Sequence, residues 1–244
     1  MKAVLFDLDG TLLPMDQEVF TKTYFHDICK KMISYGYEPE SLSKGIWAGT
    51  AAMVCNNGED TNENVFWQKF KEIFGEKGYA DKCRFDEFYA NEFEETRRVC
   101  GYNPEANHTI RELRSKGIRV ILASNPLFPE VAQKKRMQWA GVDISDFEYI
   151  TTYENSHFCK PNPQYYAEIL KVIGCDEKEC LMVGNDAKED LIAGEAGLHT
   201  FLLTDCMINS ENKDISDYPR GGFRELREYI NSQFVELKDS IYSH

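Results

Sequence analysis

Missing from these 244 residues is any apolar run approaching the roughly 18 residues that a membrane-spanning helix needs. Missing too is an excess of positive charge: 28 Lys and Arg stand against 41 Asp and Glu, a net charge of -13. Nucleic acid and anionic membrane surfaces are therefore disfavoured as main partners, because counterion release needs clustered cations. The eight cysteines form no Cys-x-x-Cys pair and have no histidine at zinc-finger spacing, which favours free thiols in a reducing cytosol over a zinc site or a disulfide framework. Apolar sequence begins at Ala3, too early to leave room for a signal peptide, so a cytoplasmic location is expected. Neither an internal repeat nor a low-complexity segment is present. A chain of this length can bury one substantial core or two modest ones without a metal or disulfide staple. Its oligomeric state is not legible, and a monomer is compatible with everything above.

What the chain does have is Ala3-Val4-Leu5-Phe6-Asp7-Leu8-Asp9-Gly10-Thr11. Four apolar residues end in two carboxylates at spacing i, i+2, followed by Gly and Thr, the pattern of a buried strand giving way to a polar loop. Side chains two apart on a strand share a face. Two carboxylates brought that close repel by roughly 3 kcal/mol at an effective dielectric near 20, so a site keeping both ionised also holds a cation. All-oxygen ligands favour a hard ion such as magnesium.

From Asp16 to about Arg98 the apolar spacing is helical. Phe20, Tyr24, Ile28 and Met32 form one stripe, Leu42, Ile46, Thr50 and Met53 a second, Phe66, Phe70 and Phe74 a third, and Phe85, Tyr89 and Phe93 a fourth. Breaks at Gly36 to Pro39, Asn56 to Gly58 and Gly75 to Gly78 predict four amphipathic helices forming a small bundle. After Gly101-Tyr102-Asn103-Pro104, helix and strand alternate. Strands are predicted over Ile118 to Ala123, Phe147 to Thr151, Cys180 to Val183 and Thr200 to Leu203. Helices are predicted over Pro129 to Ala140, Gln164 to Ile173 and through Leu191 and Ala196. Residues 204 to 221 are polar and predicted to be loop, and a closing helix carries Phe223, Leu226, Ile230, Phe234 and Leu237 on one side. The expected fold is α/β, a Rossmann-like, doubly wound parallel sheet core with an inserted α-helical bundle. Residues 1–14 and 100–244 would be the core and 15–99 the inserted cap. In such sheets ligands bind at the carboxyl ends of the strands, where Asp7 falls.

Three further clusters fall at such ends or in the loops where the site would form. Val120-Ile121-Leu122-Ala123-Ser124-Asn125 offers a hydroxyl and an amide, Phe158-Cys159-Lys160-Pro161 a lysine, and Leu181-Met182-Val183-Gly184-Asn185-Asp186 leads into Asp190. With Asp7-Leu8-Asp9-Gly10-Thr11, these resemble, in order, the four motifs of the haloacid dehalogenase (HAD) superfamily, over residues 1 to 13 and about 101 to 205. The resemblance implies a phosphatase-type hydrolase with a helical cap after the first motif. It makes Asp7 the nucleophile, Asp9 the general acid and base, and Lys160 the cation that neutralises nucleophile and phosphate. Thr11, Ser124 and Asn125 would bind substrate. The magnesium ligands would be Asp7, the main-chain carbonyl of Asp9, and Asp186, supported by Asn185 and Asp190.

The implied reaction is magnesium-dependent hydrolysis of a small-molecule phosphomonoester through an aspartyl-phosphate, with a small phosphorylated metabolite as partner. Asp9 argues against a dehalogenase and against the Schiff-base phosphonate-cleaving branch, neither of which needs that second acid. A phosphomutase of the β-phosphoglucomutase type, or a binding module that has lost turnover, uses the same residues and stays open. Lys44, Trp47, Trp67, Lys69, Arg97 and Arg98 are possible cap contacts, and the linkers near Pro14 and Gly101 are possible hinges.

Overall fold

The computed structural model describes residues 1 to 241, and side chains as far as residue 233. At its centre lies a six-stranded sheet in the order β3-β2-β1-β4-β5-β6, every pairing parallel. The strands are β1 (Ala3–Phe6), β2 (Arg119–Leu122), β3 (Tyr149–Ile150), β4 (Cys180–Gly184), β5 (His199–Leu203) and β6 (Arg220–Gly221). Period-two alternation divides β1 between two cores. Val4 and Phe6 join a large cluster that continues into the helical segment. Ala3 and Leu5 pack with Tyr165, Tyr166 and Ile169 of α7 (Pro163–Ile173). A strand buried on both faces is why its sequence is apolar throughout.

Four α-helices follow β1: α1 (Gln17–Met32), α2 (Pro39–Val54), α3 (Asn62–Ala80) and α4 (Lys82–Ala90). Their starts are capped by the side chains of Asp16, Glu38 and Thr61, while α4 has no side-chain cap. The remaining helices are α5 (Pro104–Ser115), α6 (Glu130–Trp139) and α8 (Phe223–Ile241). Where the chain leaves and re-enters the sheet, Met15 and Cys100 form an antiparallel bridge. Gly101 N–H also donates to Pro14 O at 2.6 Å, so both linkers run side by side.

Four details depart from the sequence reading. The expected break at Gly75 is present, with φ 68° and ψ -162°, but a further helical piece runs on to Ala80. Gly78, at the far end of the expected break, lies within that piece and lets the backbone come against Phe70 and Phe74. Phe93 lies not on α4 but in a 3₁₀ stretch, Glu92–Val99, and Leu191–Ala196 is likewise 3₁₀ rather than α. Within the expected loop, β6 pairs Leu202 with Arg220 and Leu203 with Gly221. A two-residue edge strand is made by backbone pairing alone and leaves no hydrophobic pattern to read. Phe223, Leu226 and Ile230 are buried along α8; the expectation for Phe234 and Leu237 lies outside the described side chains. All eight cysteines are free thiols. Among the described residues no helix is long and apolar enough to cross a membrane.

Candidate active site

Parallel register brings the carboxyl ends of three strands level, since Phe6 pairs with Leu122 on one side and Val183 on the other. Asp7, one position beyond, and Ser124 and Asn185, two positions beyond, therefore stand in a row across the strand ends and line one cavity with Asp9, Asn125, Asp186, Glu189 and Asp190. Two glycines allow the row to close. Gly10 turns the chain with φ 82°, and a β-carbon there would collide with the Asn185 amide. At Gly184 a β-carbon would overlap the Asp190 carboxylate.

The centre of the row is an ion triad. Lys160 Nζ lies 2.9 Å from Asp7 Oδ1 and 2.6 Å from Asp190 Oδ1, and its side chain is 1% exposed. Burial alone would lower the Lys160 pKa, but the carboxylates of Asp190 and Asp7 carry it well above the ordinary lysine range. Burial pushes Asp7 up to about 7; Lys160 opposes the shift, while Asp190 and Asp9 add to it. Asp190 also accepts the Asp186 N–H at 2.9 Å through its other oxygen. Asp186 Oδ1 caps the following turn, accepting from Lys188 N–H at 2.7 Å and Glu189 N–H at 2.9 Å.

Thr11 and Asn125, expected to bind substrate, also make hydrogen bonds to the side chains around them. The Thr11 hydroxyl lies 3.2 Å from Asp7 Oδ2 and 3.0 Å from Asn185 Oδ1, and its single proton is donated to one or the other of these acceptors. Asn125 accepts the Lys160 N–H at 3.2 Å and donates to Glu189 at 3.1 Å, tying three loops together. Asn185 donates to Cys206 O at 2.7 Å. Ser124 is buried and lines the cavity with Asp7, and its carbonyl accepts from Thr151 and Tyr165 at 2.7 and 2.8 Å.

One partner went unnoticed in the sequence. Asp9 Oδ2 is paired with the guanidinium of Arg136 on α6, which reaches Gln133 with its other arm and stacks 4.3 Å from the Phe128 ring centroid. Arg136 is fully buried. Among the described residues Asp9 Oδ1, Gln133 Nε2 and Arg136 Nε are buried without a hydrogen-bond partner. Burial raises the Asp9 pKa above the usual carboxylate value, with Arg136 and then Lys160 opposing. A signal was available: Gln133 and Arg136 occupy the core-facing stripe of α6 with Ala132 and Met137, where polar residues are out of place unless paired.

Of the possible cap contacts, Trp47 and Trp67 line the cavity. Lys44 instead pairs with Glu40, Lys69 with Glu72, Arg97 with Glu94, and Arg98 with Asp27.

The family model for haloacid dehalogenase-like hydrolases matches residues 1–197. A phosphoglycolate phosphatase of Aquifex aeolicus is 24% identical over 238 residues, covering 97% of this chain and all of that one. A glyceraldehyde 3-phosphate phosphatase of Methanothermobacter thermautotrophicus is 22% identical, over 88% of this chain and 91% of that one. Among solved structures, a HAD phosphatase from Thermococcus onnurineus superposes with a TM-score of 0.55 at 20% identity, covering 94% of this chain and 98% of the other. The chain belongs to the haloacid dehalogenase-like hydrolase family. Family and fold together define it as a hydrolase with a parallel α/β sheet core.

Proposed function

We propose that the chain hydrolyses a small phosphomonoester through a phosphoryl-Asp7 intermediate with the help of magnesium, in the cytoplasm. The observation that carries this reading is the buried Lys160 ammonium held 2.9 Å from Oδ1 of Asp7, which lines one cavity with Ser124 and Asp186. An Asp7 oxygen attacks phosphorus in line while Lys160 offsets the gathering charge. Asp9, its pKa lifted by burial, protonates the departing alcohol. It then takes a proton from the water that cleaves the acyl phosphate. Ser124 offers its hydroxyl to a phosphoryl oxygen, and Asn185 and Asp190 hold their neighbours in place.

The residues fit a hard divalent ion. Among the described residues no three His, Cys, Asp or Glu side chains make a ready cage. The donors here are two carboxylates, Asp7 and Asp186, with the Asp9 main-chain carbonyl. Magnesium commonly takes one or two carboxylates and leaves its other positions to phosphate and water. Carboxylates that push one another's pKa up, as Asp190 and Asp9 do to Asp7, are relieved by such an ion. When bound it would neutralise charge on the phosphoryl oxygens.

Residues 15–99 would act as a cap and residues 1–14 and 100–244 as the core, with the paired linkers at Pro14 and Gly101 as hinges. Phosphate release from a broad panel of monoesters, with and without magnesium, tests the reading. Release from some members that is lost in Asp7→Asn supports it, and no release from any overturns it.

A further inference from the structure

The cavity above Asp7 has a volume of about 370 Å³, within the range of small-molecule sites. Its walls are rings. Ten lining residues are aromatic, and eight of these lie between residues 20 and 89 on the helices that follow β1. No Lys, Arg or His is among the lining residues, while Asp9, Asp186 and Glu189 are. Cations of the helical segment are tied to acids elsewhere, Lys44 to Glu40, Lys69 to Glu72 and Arg98 to Asp27.

Several polar tips among the rings are already satisfied by one another. The Tyr24 and Tyr89 hydroxyls are bonded at 2.7 Å, and Trp67 Nε1 donates to the Tyr153 hydroxyl at 3.4 Å. Thr50 Oγ1 donates to Ile46 O at 3.0 Å. A carboxylate on the leaving group would thus lose its water and gain acidic neighbours with no cation to meet it. A small polar leaving group would also leave much of the volume as water against rings. Trp47 is 53% exposed yet stacked on Phe25, with centroids 5.2 Å apart and planes at 26°, and both line the cavity. This pair presents ring surface where the cavity meets solvent.

Granting the phosphatase reading, on which this depends, we propose that the preferred substrates are phosphomonoesters whose leaving alcohol is uncharged and carries an aromatic ring. The phosphoryl end sits at Asp7 and the ring lies among Phe25, Trp47, Phe66 and Trp67. This separates the chain from a relative named for phosphoglycolate, whose leaving alcohol is a small carboxylate.

The test compares benzyl phosphate with 2-phosphoglycolate, whose alcohols are of similar basicity, under magnesium. Burial of the ring should favour benzyl phosphate in kcat/KM by about tenfold or more, mainly through KM. Trp47→Ala, at a half-exposed position where folding is retained, should shrink that ratio several-fold. Thr21→Lys, which places a cation on the cavity wall, should move preference toward phosphoglycolate. Equal or better turnover of phosphoglycolate by the unaltered protein would overturn the aromatic preference and leave the phosphatase reading standing. Release from no monoester at all would overturn both.

Discussion

At the floor of the cavity most charged side chains are gripped by a neighbour: Lys160 by Asp7 and Asp190, Asp9 by Arg136, and Asp186 by the backbone of the turn it caps. Above it, the helices between β1 and α5 contribute rings whose polar atoms largely bond one another. The floor concentrates charge where water is scarce, which makes electrostatic work on a phosphoryl group effective and makes each unpaired group costly. The roof offers dispersion and area, which discriminate by shape and polarity and tolerate substitution. Chemistry and selection are thus assigned to different regions, and changes in the two should fail differently.

The largest break lies at the floor. Asp7→Asn should reduce phosphate release by at least about 1,000-fold while circular dichroism and the melting profile still report a folded chain; comparable turnover in that variant would remove Asp7 as nucleophile. Lys160→Met should cost both activity and stability. Two buried carboxylates lose their shared cation, so denaturant unfolding of the metal-free protein should show a loss of about 3 kcal/mol. Arg136→Met should lower kcat by about 100-fold, the scale of a misplaced general acid, with KM little changed; Arg136→Lys should recover part of it if pairing with Asp9 is what matters. Magnesium should raise the melting temperature of the unaltered protein and have much less effect on Asp186→Asn. The smallest effect should come from the outer face of the roof. Lys44→Ala, which removes an exposed partner of Glu40, should leave kcat/KM within about twofold and the melting temperature almost unmoved.

Much of the floor was legible because strand ends impose a local pattern. An apolar run must stop where the strand leaves the core, and the first polar residues after β1, β2 and β4 are Asp7, Ser124 and Asn185. Lys160 was legible only through resemblance, since a lone lysine before a proline has no intrinsic signature. Arg136 lay hidden because its meaning is a contact across 127 positions of chain. The polar positions on the buried stripe of α6 marked an oddity without naming the partner. For the roof, helical spacing identified the aromatic stripes but could not say which rings face the core and which face the cavity. Phe70 and Phe66 sit one turn apart on α3, yet only Phe66 lines the cavity.

Sequence by itself determined the alternation of strand and helix, the helical segment after the first strand, and the acidic residues at the strand ends. These depend on periodicity and local chain direction, which neighbouring residues encode. Tertiary structure alone decided that Arg136 meets Asp9, that Thr11 and Asn125 tie the loops together, and that the cations of the helical segment stay out of the cavity. Those outcomes follow from how separate elements pack, and pairing energies between distant groups have no trace in local spacing.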